Sequence, residues 1–279
     1  MGRIHIVTDS TGELTKEEID KYHIHVVPLT IQIDQKSYVD GVDISTIEFL
    51  EKMANAPELP KSSQPAVGVF KELFDELGSN GDEVLVITMT GGMSGTVKSA
   101  EAAATMSDTN VVVVDSRFIS FGLGFQVIEA AKMAEEGKTM EEILKRLDHV
   151  RSNTNLLVVV DTLDNLIKGG RIGKGTGLIG SLLNIKPIAS LEGGAYNPVA
   201  KVRSHKQAVK YLFNQFQEDT NGKIIKGVGI AHANGLNIGE PLKTMIEESG
   251  YHDVKFGYTS PIICTHTGPG AIGFSYYTD

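Results

Sequence analysis

The chain has 279 residues, of which 41% are hydrophobic and 22% are charged. This length exceeds what one typical core supports, and the composition argues against global disorder. We therefore expect one large or two medium globular domains. The formal net charge is -9, and an acidic surface repels phosphate backbones, so broad binding to nucleic acid is disfavoured.

The single cysteine, Cys264, excludes an intrachain disulfide. It lies in the apolar run 261–264, which predicts a buried strand that carries a core thiol rather than a nucleophile. Residues 1–7 enter a strand at once and leave no room for a signal peptide, and Ile6 stands where a myristoylation signal requires Ser or Thr. No apolar stretch is long enough to span a bilayer, so we expect a cytoplasmic protein.

Strands and helices alternate in the first half of the chain. A strand at Ile4–Val7, a helix at Thr15–Tyr22 and a strand at Ile24–Leu29 form a first unit, whose short crossover predicts a parallel pair. The later predicted elements of this half are helices 46–53 and 67–77, strand 83–89, helix 97–106, strand 111–115, a loop over 116–124, and helices 126–136 and 140–151. This α/β alternation predicts a doubly wound, mostly parallel sheet.

The second half has a different pattern, which predicts an α+β domain with a mixed or antiparallel sheet. Its predicted elements are strand 156–160, a short helix over 162–170, helix 178–183, a hairpin over 189–199, helix 205–218, strand 225–231, helix 239–249 and two closing strands. We expect the N-terminal domain to comprise residues 1–153 and the C-terminal domain residues 154–279.

A glycine-rich loop at Thr90–Thr96 opens a helix. Its glycines allow the backbone to approach a ligand, and its amides and the Ser94 hydroxyl suit an anionic oxygen. The spacing fits neither a phosphate-binding P-loop nor a dinucleotide fingerprint. A plain tight turn fits the spacing as well as a binding loop does.

Three other loops carry polar side chains. Asp9 can bind a metal or brace its loop, and bracing is favoured. Ser63, before Pro65, is explained as a helix N-cap, which leaves Ser62 as the freer hydroxyl. His266 follows the apolar run 261–264 beside glycines, where a structural hydrogen bond is more common than a ligand contact.

Two arginines, Arg171 and Arg203, can each pair with a phosphate, although surface salt bridges are the favoured explanation. The sequence contains no nucleophile elbow, no metal-spaced histidine pair and no cysteine cluster. Ser94 has no base partner apart from His266. The residues alone therefore predict an α/β protein with a hydroxyl-rich anion site between two halves.

Taken in order, these loops resemble those of the DegV family. The opening Ile6–Thr11 is similar to that family's Val-Thr-Asp-Ser start, and Ser62–Pro65 is similar to its Thr-Ser-Gln-Pro loop. The other matching segments are 90–96, 120–124, 168–171, 185–188 and 266–271. Each motif alone is weak, but the ordered set runs from about Ile4 to Gly273.

The resemblance implies two α/β domains with a lipid between them. It implies that the chain binds one long-chain fatty acid, such as palmitate or oleate, and presents the carboxyl group to a separate fatty acid kinase for phospholipid synthesis. It also implies no catalysis by this chain, no cofactor and no metal. We further expect a monomer that does not bind nucleic acid and contacts a membrane only transiently to load lipid.

The resemblance also assigns residues. Ser62, Ser94 and His266 would contact the carboxyl group, and Arg171 and Arg203 would line the mouth where phosphate or the kinase arrives. Further ligand contacts are expected at Gly95, Thr96, Phe121, Gly122 and Thr267, with Phe118, Phe121 and Phe125 as candidate wall residues.

The chain departs from the family pattern at two places: Ser62 replaces the usual Thr, and Thr90-Gly91 replaces Ser-Ser. Two other functions compete with the carrier. One is an acyl hydrolase or transferase that uses Ser94 with His266. The other is a regulatory protein linked to DNA, against which the charge and the lack of a basic recognition helix argue.

Overall fold

The computed structural model describes residues 2–178 and 185–279. The strands of these residues are β1 (Ile4–Asp9), β2 (His25–Val27), β3 (Thr30–Ile33), β4 (Lys36–Val39), β5 (Lys61–Ser63), β6 (Glu83–Thr88), β7 (Asn110–Asp115), β8 (Thr154–Val159), β9 (Lys186–Ser190), β10 (Asn197–Val202), β11 (Ile225–His232), β12 (Val254–Tyr258) and β13 (Ile272–Thr278). The α-helices are α1 (Lys16–Lys21), α2 (Thr46–Asn55), α3 (Val67–Leu77), α4 (Thr96–Met106), α5 (Ser120–Glu135), α6 (Met140–Ser152), α7 (Asp164–Lys168), α8 (His205–Thr220), α9 (Leu236–Glu248) and α10 (Pro261–Thr267).

The first sheet is parallel throughout, in the order β2-β1-β6-β7. Its strands are apolar on both faces because helices cover both. Val7 and Val86 point towards a core shared with α3 and α4, whereas Ile6 and Leu85 point towards a core shared with α5. The predicted α/β half is thereby confirmed, and the polar loops after β1 and β6 leave the carboxyl end of this sheet.

The second sheet is mixed, in the order β10-β9-β8-β13-β11-β12, with β11 and β12 as its parallel pair. The predicted hairpin is confirmed as the antiparallel pair β9 and β10. Along β8, Leu157 and Val159 pack in the core with α8 and α9, while Leu156 and Val158 face the core of the first sheet. Helix α5 contacts strands of both sheets, so it lies between them.

A third, small antiparallel sheet has the order β4-β3-β5 and was not anticipated from the sequence. It forms where the polar stretch after Leu29 obscures the alternation of Ile31 and Ile33, which are both buried. Strand β5 pairs Ser62 with Ile31, so this sheet determines where Ser62 lies.

The predicted strand around Cys264 is wrong, because residues 261–267 form helix α10. Ser260 caps the helix, its Oγ accepting from the Ile263 backbone N–H, and Pro261 occupies the first turn. The first five residues of this helix are all buried, and most of them are apolar. A short apolar run does not show whether its residues repeat with the period of a helix or of a strand. His266 therefore lies on a helix rather than after a strand.

Two smaller predictions are also corrected. The expected loop over 116–124 ends early, because α5 begins at Ser120 and contains both Gly122 and Gly124. A Cβ at Gly124 would lie 2.3 Å from the Gly12 carbonyl oxygen, so the glycine permits α5 to pack closely against the loop after β1. Ser63 is not a helix N-cap: it ends β5, and Ala66 precedes α3 without a side-chain cap.

The predicted helix over 178–183 lies largely outside the described residues. The domain boundary between residues 153 and 154 stays a prediction, although α6 ends at Ser152 and β8 begins at Thr154. Over 2–178 and 185–279, the helices are too short or too polar to cross a membrane.

Candidate functional site

A cavity of about 330 Å³ lies between the two larger sheets, within the size range of pockets for small molecules. Its wall is mostly apolar, with a few polar side chains that come from β5, the glycine-rich loop, α10 and the segment after α7. The lining residues are Leu29, Ser62, Ser63, Gln64, Met89, Met93, Ser94, Ile119, Val158, Leu166, Arg171, Leu191, Tyr196, Ile262, Ile263, His266 and Thr267.

Ser62 and His266 form the central polar contact of this cavity, with 2.7 Å between Ser62 Oγ and His266 Nε2. Gly169 makes room for the imidazole, because a Cβ there would lie 2.3 Å from His266 Nδ1. That Nδ1 atom is buried and has no hydrogen-bond partner among the described residues. The imidazole is therefore held by its contact with Ser62 and by packing.

Burial, with a smaller contribution from the nearby Arg171 guanidinium, lowers the pKa of His266 to about 4. The imidazole is neutral at pH 7. When Nε2 carries the proton, it donates to Ser62 Oγ, and the hydroxyl proton of Ser62 remains free for a ligand oxygen.

Ser94 is held at the start of α4. Its Oγ accepts from the Thr96 backbone N–H at 3.2 Å and lies 2.8 Å from Thr96 Oγ1. With Thr96 Oγ1 as donor, both lone pairs of Ser94 are used and its proton remains for a ligand. Gly95 abuts the Gln64 side chain, which donates to Ser99 Oγ, so the loops of Ser62 and Ser94 pack against each other.

Two contacts tie the glycine-rich loop to the second half of the chain. Thr90 Oγ1 donates to the Gly194 carbonyl oxygen at 2.8 Å. Arg171 Nε donates to the Met93 carbonyl oxygen at 3.0 Å, and Arg171 Nη1 donates to that of Gly169 at 2.6 Å. The buried Thr90, one of the two departures from the family pattern, thus has a defined structural contact.

Asp9 braces its loop. Its carboxylate accepts from the backbone N–H and hydroxyl of Thr11 at 3.0 and 2.7 Å, and from the Met89 N–H at 2.6 Å. Burial raises the pKa of Asp9, and these hydrogen bonds oppose the rise. Within the described part of the chain, no group of three or more His, Cys, Asp or Glu side chains is arranged to hold a metal.

The structure brings Ser62, Ser94, His266, Thr267 and Arg171 together at the cavity. Gly95 and Thr96 follow Ser94 in the chain, and Thr96 contacts the Ser94 hydroxyl. The remaining sequence-predicted site residues lie away from the cavity lining: Phe121 and Phe125 pack in a cluster with Tyr277, Gly122 and Phe118 pack on each other, and Arg203 is exposed on the segment before α8. Ligand roles for all of these residues stay predictions.

Sequence reasoning missed most of the apolar wall. Leu166 lies on α7, Ile262 lies on α10, and the connection between β9 and β10 carries Leu191 and Tyr196. No motif links these residues. Tyr196 is also a buried residue whose hydroxyl has no hydrogen-bond partner among the described residues. Only the full fold shows that these side chains surround one space.

His266 gives a prediction for the pH dependence of stability. Its folded pKa lies below the unfolded value of about 6.5, so its contribution to stability is complete above pH 6.5 and is lost as the pH falls towards 4. We expect this residue to contribute about 2–3 kcal/mol to the difference in unfolding free energy between pH 7 and pH 4. Urea unfolding of wild type and His266→Gln at both pH values measures the difference, with exposed His252→Gln as control. Equal pH dependence in wild type and His266→Gln would contradict the neutral, buried imidazole.

Comparison with known proteins places these features in a family. A family model described as the uncharacterised DegV family matches residues 3–279. A DegV domain-containing protein of Listeria monocytogenes is 44% identical over 281 residues, covering 100% of both chains.

Solved structures agree. A DegV family protein from Thermus thermophilus, described as binding fatty acid, has a TM-score of 0.94 at 31% identity, over 99% of this chain and 100% of that one. DegV of Bacillus subtilis, described as a fatty acid binding protein, has a TM-score of 0.90 at 32% identity over 100% of both chains. The α/β fold with one parallel and one mixed sheet is confirmed, and so is the resemblance found in the sequence.

Proposed function

Because the chain belongs to the DegV family, we propose that it binds one long-chain fatty acid in the cavity, with the carboxyl group on the hydroxyls of Ser62 and Ser94. The observation that carries the proposal is the placement of two oriented hydroxyls and a neutral histidine at a mostly apolar cavity. Relatives of the same fold are described as binding fatty acids.

The apolar wall supports this choice of ligand. Each CH₂ group that leaves water contributes about 0.8 kcal/mol, so a long acyl chain supplies most of the binding free energy. Side chains such as Leu29, Met89 and Ile262 offer no hydrogen bond to a polar ligand. They match a hydrocarbon chain better than a sugar or a nucleotide.

The polar side chains support a carboxyl group at one position of the cavity. Ser62 and Ser94 can each donate one hydrogen bond, which suits the two oxygens of a carboxyl group. Among the lining residues that the structure describes, Arg171 is the cation, and two of its N–H groups are already directed at backbone carbonyls. Hydroxyl donors therefore account for carboxyl recognition without a full ion pair.

We further propose that the protein is a carrier that presents the carboxyl group to a separate, ATP-using fatty acid kinase. Arg171 at the cavity and the exposed Arg203 would face the arriving phosphate or partner. Incubation of loaded protein with such a kinase and ATP, followed by trapping with hydroxylamine, should give an acyl hydroxamate. Omission of either protein should abolish it, and formation without the kinase would overturn the carrier role.

An acyl hydrolase or transferase remains the second candidate, because Ser62 lies 2.7 Å from a neutral histidine. The geometry favours this pair over the sequence-based pair of Ser94 with His266. A serine hydrolase also needs a group that orients its histidine, and His266 Nδ1 has no partner among the described residues. Turnover of a p-nitrophenyl acyl ester that is lost in Ser62→Ala would favour the enzyme.

Native mass spectrometry of protein produced in bacteria tests the lipid proposal. We expect one added mass in the range of a long-chain fatty acid, because buried apolar surface makes dissociation slow. Denaturation should release it for identification, and delipidated protein should take up one equivalent of palmitate or oleate. Protein that is folded, empty and unable to take up either acid would overturn the proposal.

A further inference from the structure

Helix α10 supplies four cavity-lining residues, and its first turn is held by two carboxyl groups from the N-terminal half of the chain. Glu13 Oε1 accepts from the Thr259 hydroxyl at 2.6 Å and from the Ser260 N–H at 3.2 Å. Asp40 Oδ1 lies 3.4 Å from the Ile262 N–H. The backbone donors at the start of a helix need such partners, since no helical carbonyl reaches them.

Both carboxyl groups are themselves fixed. The Ser10 hydroxyl donates to Asp40 Oδ2 at 2.6 Å and also accepts from the Leu29 N–H at 3.2 Å. Leu29 lines the cavity, so this network joins two of its walls. Glu13 lies in the left-handed backbone region, with a φ of 52°, which a residue other than glycine adopts at some conformational cost.

We propose that Glu13 and Asp40 are positioning residues that hold α10 against the cavity, so that ionisation of both loosens the helix and speeds release of the bound acid. The second half of this proposal, the faster release of the acid, rests on the proposed fatty-acid binding. The first half, the positioning of α10, does not. The helix carries Ile262, Ile263, His266 and Thr267, so a shift of its first turn changes both the apolar wall and the carboxyl contact.

The charge that acts on each of these two carboxyl groups comes from another carboxyl group. Burial raises the pKa of Asp40 to about 7, with a smaller contribution from Asp9. Burial raises the pKa of Glu13 to about 8, with a smaller contribution from Asp40. Cys264 on α10 has a raised thiol pKa, and His232, whose carbonyl oxygen accepts from the Thr259 N–H, has a lowered pKa; burial is the main cause of both shifts.

The direction of the effect follows from linkage. We call the state in which α10 packs against the cavity the closed state. In this state both carboxyl groups hold protons at pH values where they would be ionised in water. Their contribution to closure is therefore complete below about pH 4 and is lost as the pH rises through 7 and 8. Opening of α10 exposes the carboxylates to water and becomes easier at higher pH.

Hydrogen exchange of the delipidated protein tests the first half of the proposal. We expect the protection factors of the α10 amides, which correct for intrinsic exchange, to fall at least about tenfold from pH 6 to pH 9. In Glu13→Gln/Asp40→Asn, whose side chains are nearly isosteric and do not titrate, they should change less than about twofold. Exposed Asp20→Asn is the matched control, and Asp40→Asn alone serves if the double variant unfolds.

The dissociation rate of a bound fluorescent fatty acid tests the second half. It should rise with pH in wild type and Asp20→Asn, and stay nearly flat in the double variant. Unchanged α10 protection in wild type would overturn the positioning role, and pH-dependent protection with a constant dissociation rate would overturn the link to release. Failure to bind the acid at any pH would instead count against the proposed function, and α10 protection alone would then decide the positioning role.

Discussion

Replacement of both Ser62 and Ser94 by alanine is expected to weaken the binding of palmitate or oleate at least about 100-fold. Each hydroxyl would donate to a charged or strongly polar oxygen, and such a hydrogen bond contributes about 1.5–3 kcal/mol. Two of them correspond to a factor of roughly 100 or more in the dissociation constant. Displacement of a fluorescent fatty acid from the purified variants measures this loss.

The design of this test separates binding from folding. Ser37→Ala removes an exposed serine from β4 in the same small sheet that carries Ser62, and it should bind like wild type. Ser62→Thr keeps the hydroxyl and restores the usual family residue, so it should retain affinity. A double variant that binds within about threefold of wild type would show that the carboxyl group lies elsewhere.

The sequence predicted the elements whose periodicity is long and unbroken. The parallel strands β1, β6 and β7 follow from apolar runs between amphipathic helices, and the loops at their carboxyl ends follow from the architecture. Ser94 was predicted as a site residue because it lies in the loop at the carboxyl end of β6. Its position at the start of α4, with Thr96 as hydrogen-bond partner, does not follow from the glycine-rich spacing, because the same spacing also fits a plain turn.

The sequence failed where tertiary packing overrides local pattern. Residues 261–264 are apolar on every side because α10 is buried all round, so they resemble a strand. Gly122 and Gly124 weaken the helical signal of α5, although the fold uses them inside that helix. The contact between Ser62 and His266 joins residues 204 positions apart, and nothing local indicates it.

A single bulky residue at Met93 is expected to abolish fatty-acid uptake while the polar contacts stay in place. Met93 is partly buried and lines the cavity, and its backbone carbonyl, not its side chain, accepts the hydrogen bond from Arg171. In Met93→Trp the indole would occupy acyl space in a cavity of only about 330 Å³. We expect native mass spectrometry to show empty protein and no uptake of added oleate.

Met93→Leu is the matched control, because volume-conserving apolar exchanges usually cost less than about 1.5 kcal/mol. It should carry lipid like wild type. After delipidation, both variants should unfold within about 3 °C of delipidated wild type, since about 1 kcal/mol shifts the midpoint by 2–4 °C in a chain of this size class. If Met93→Trp carried as much lipid as wild type, the acyl chain would have to lie outside this cavity. Met93→Trp removes space for the acyl chain, whereas the double alanine variant of Ser62 and Ser94 removes the hydroxyls that donate to the carboxyl group. Loss of binding in both variants would therefore require one ligand that contacts the apolar and the polar parts of the site together.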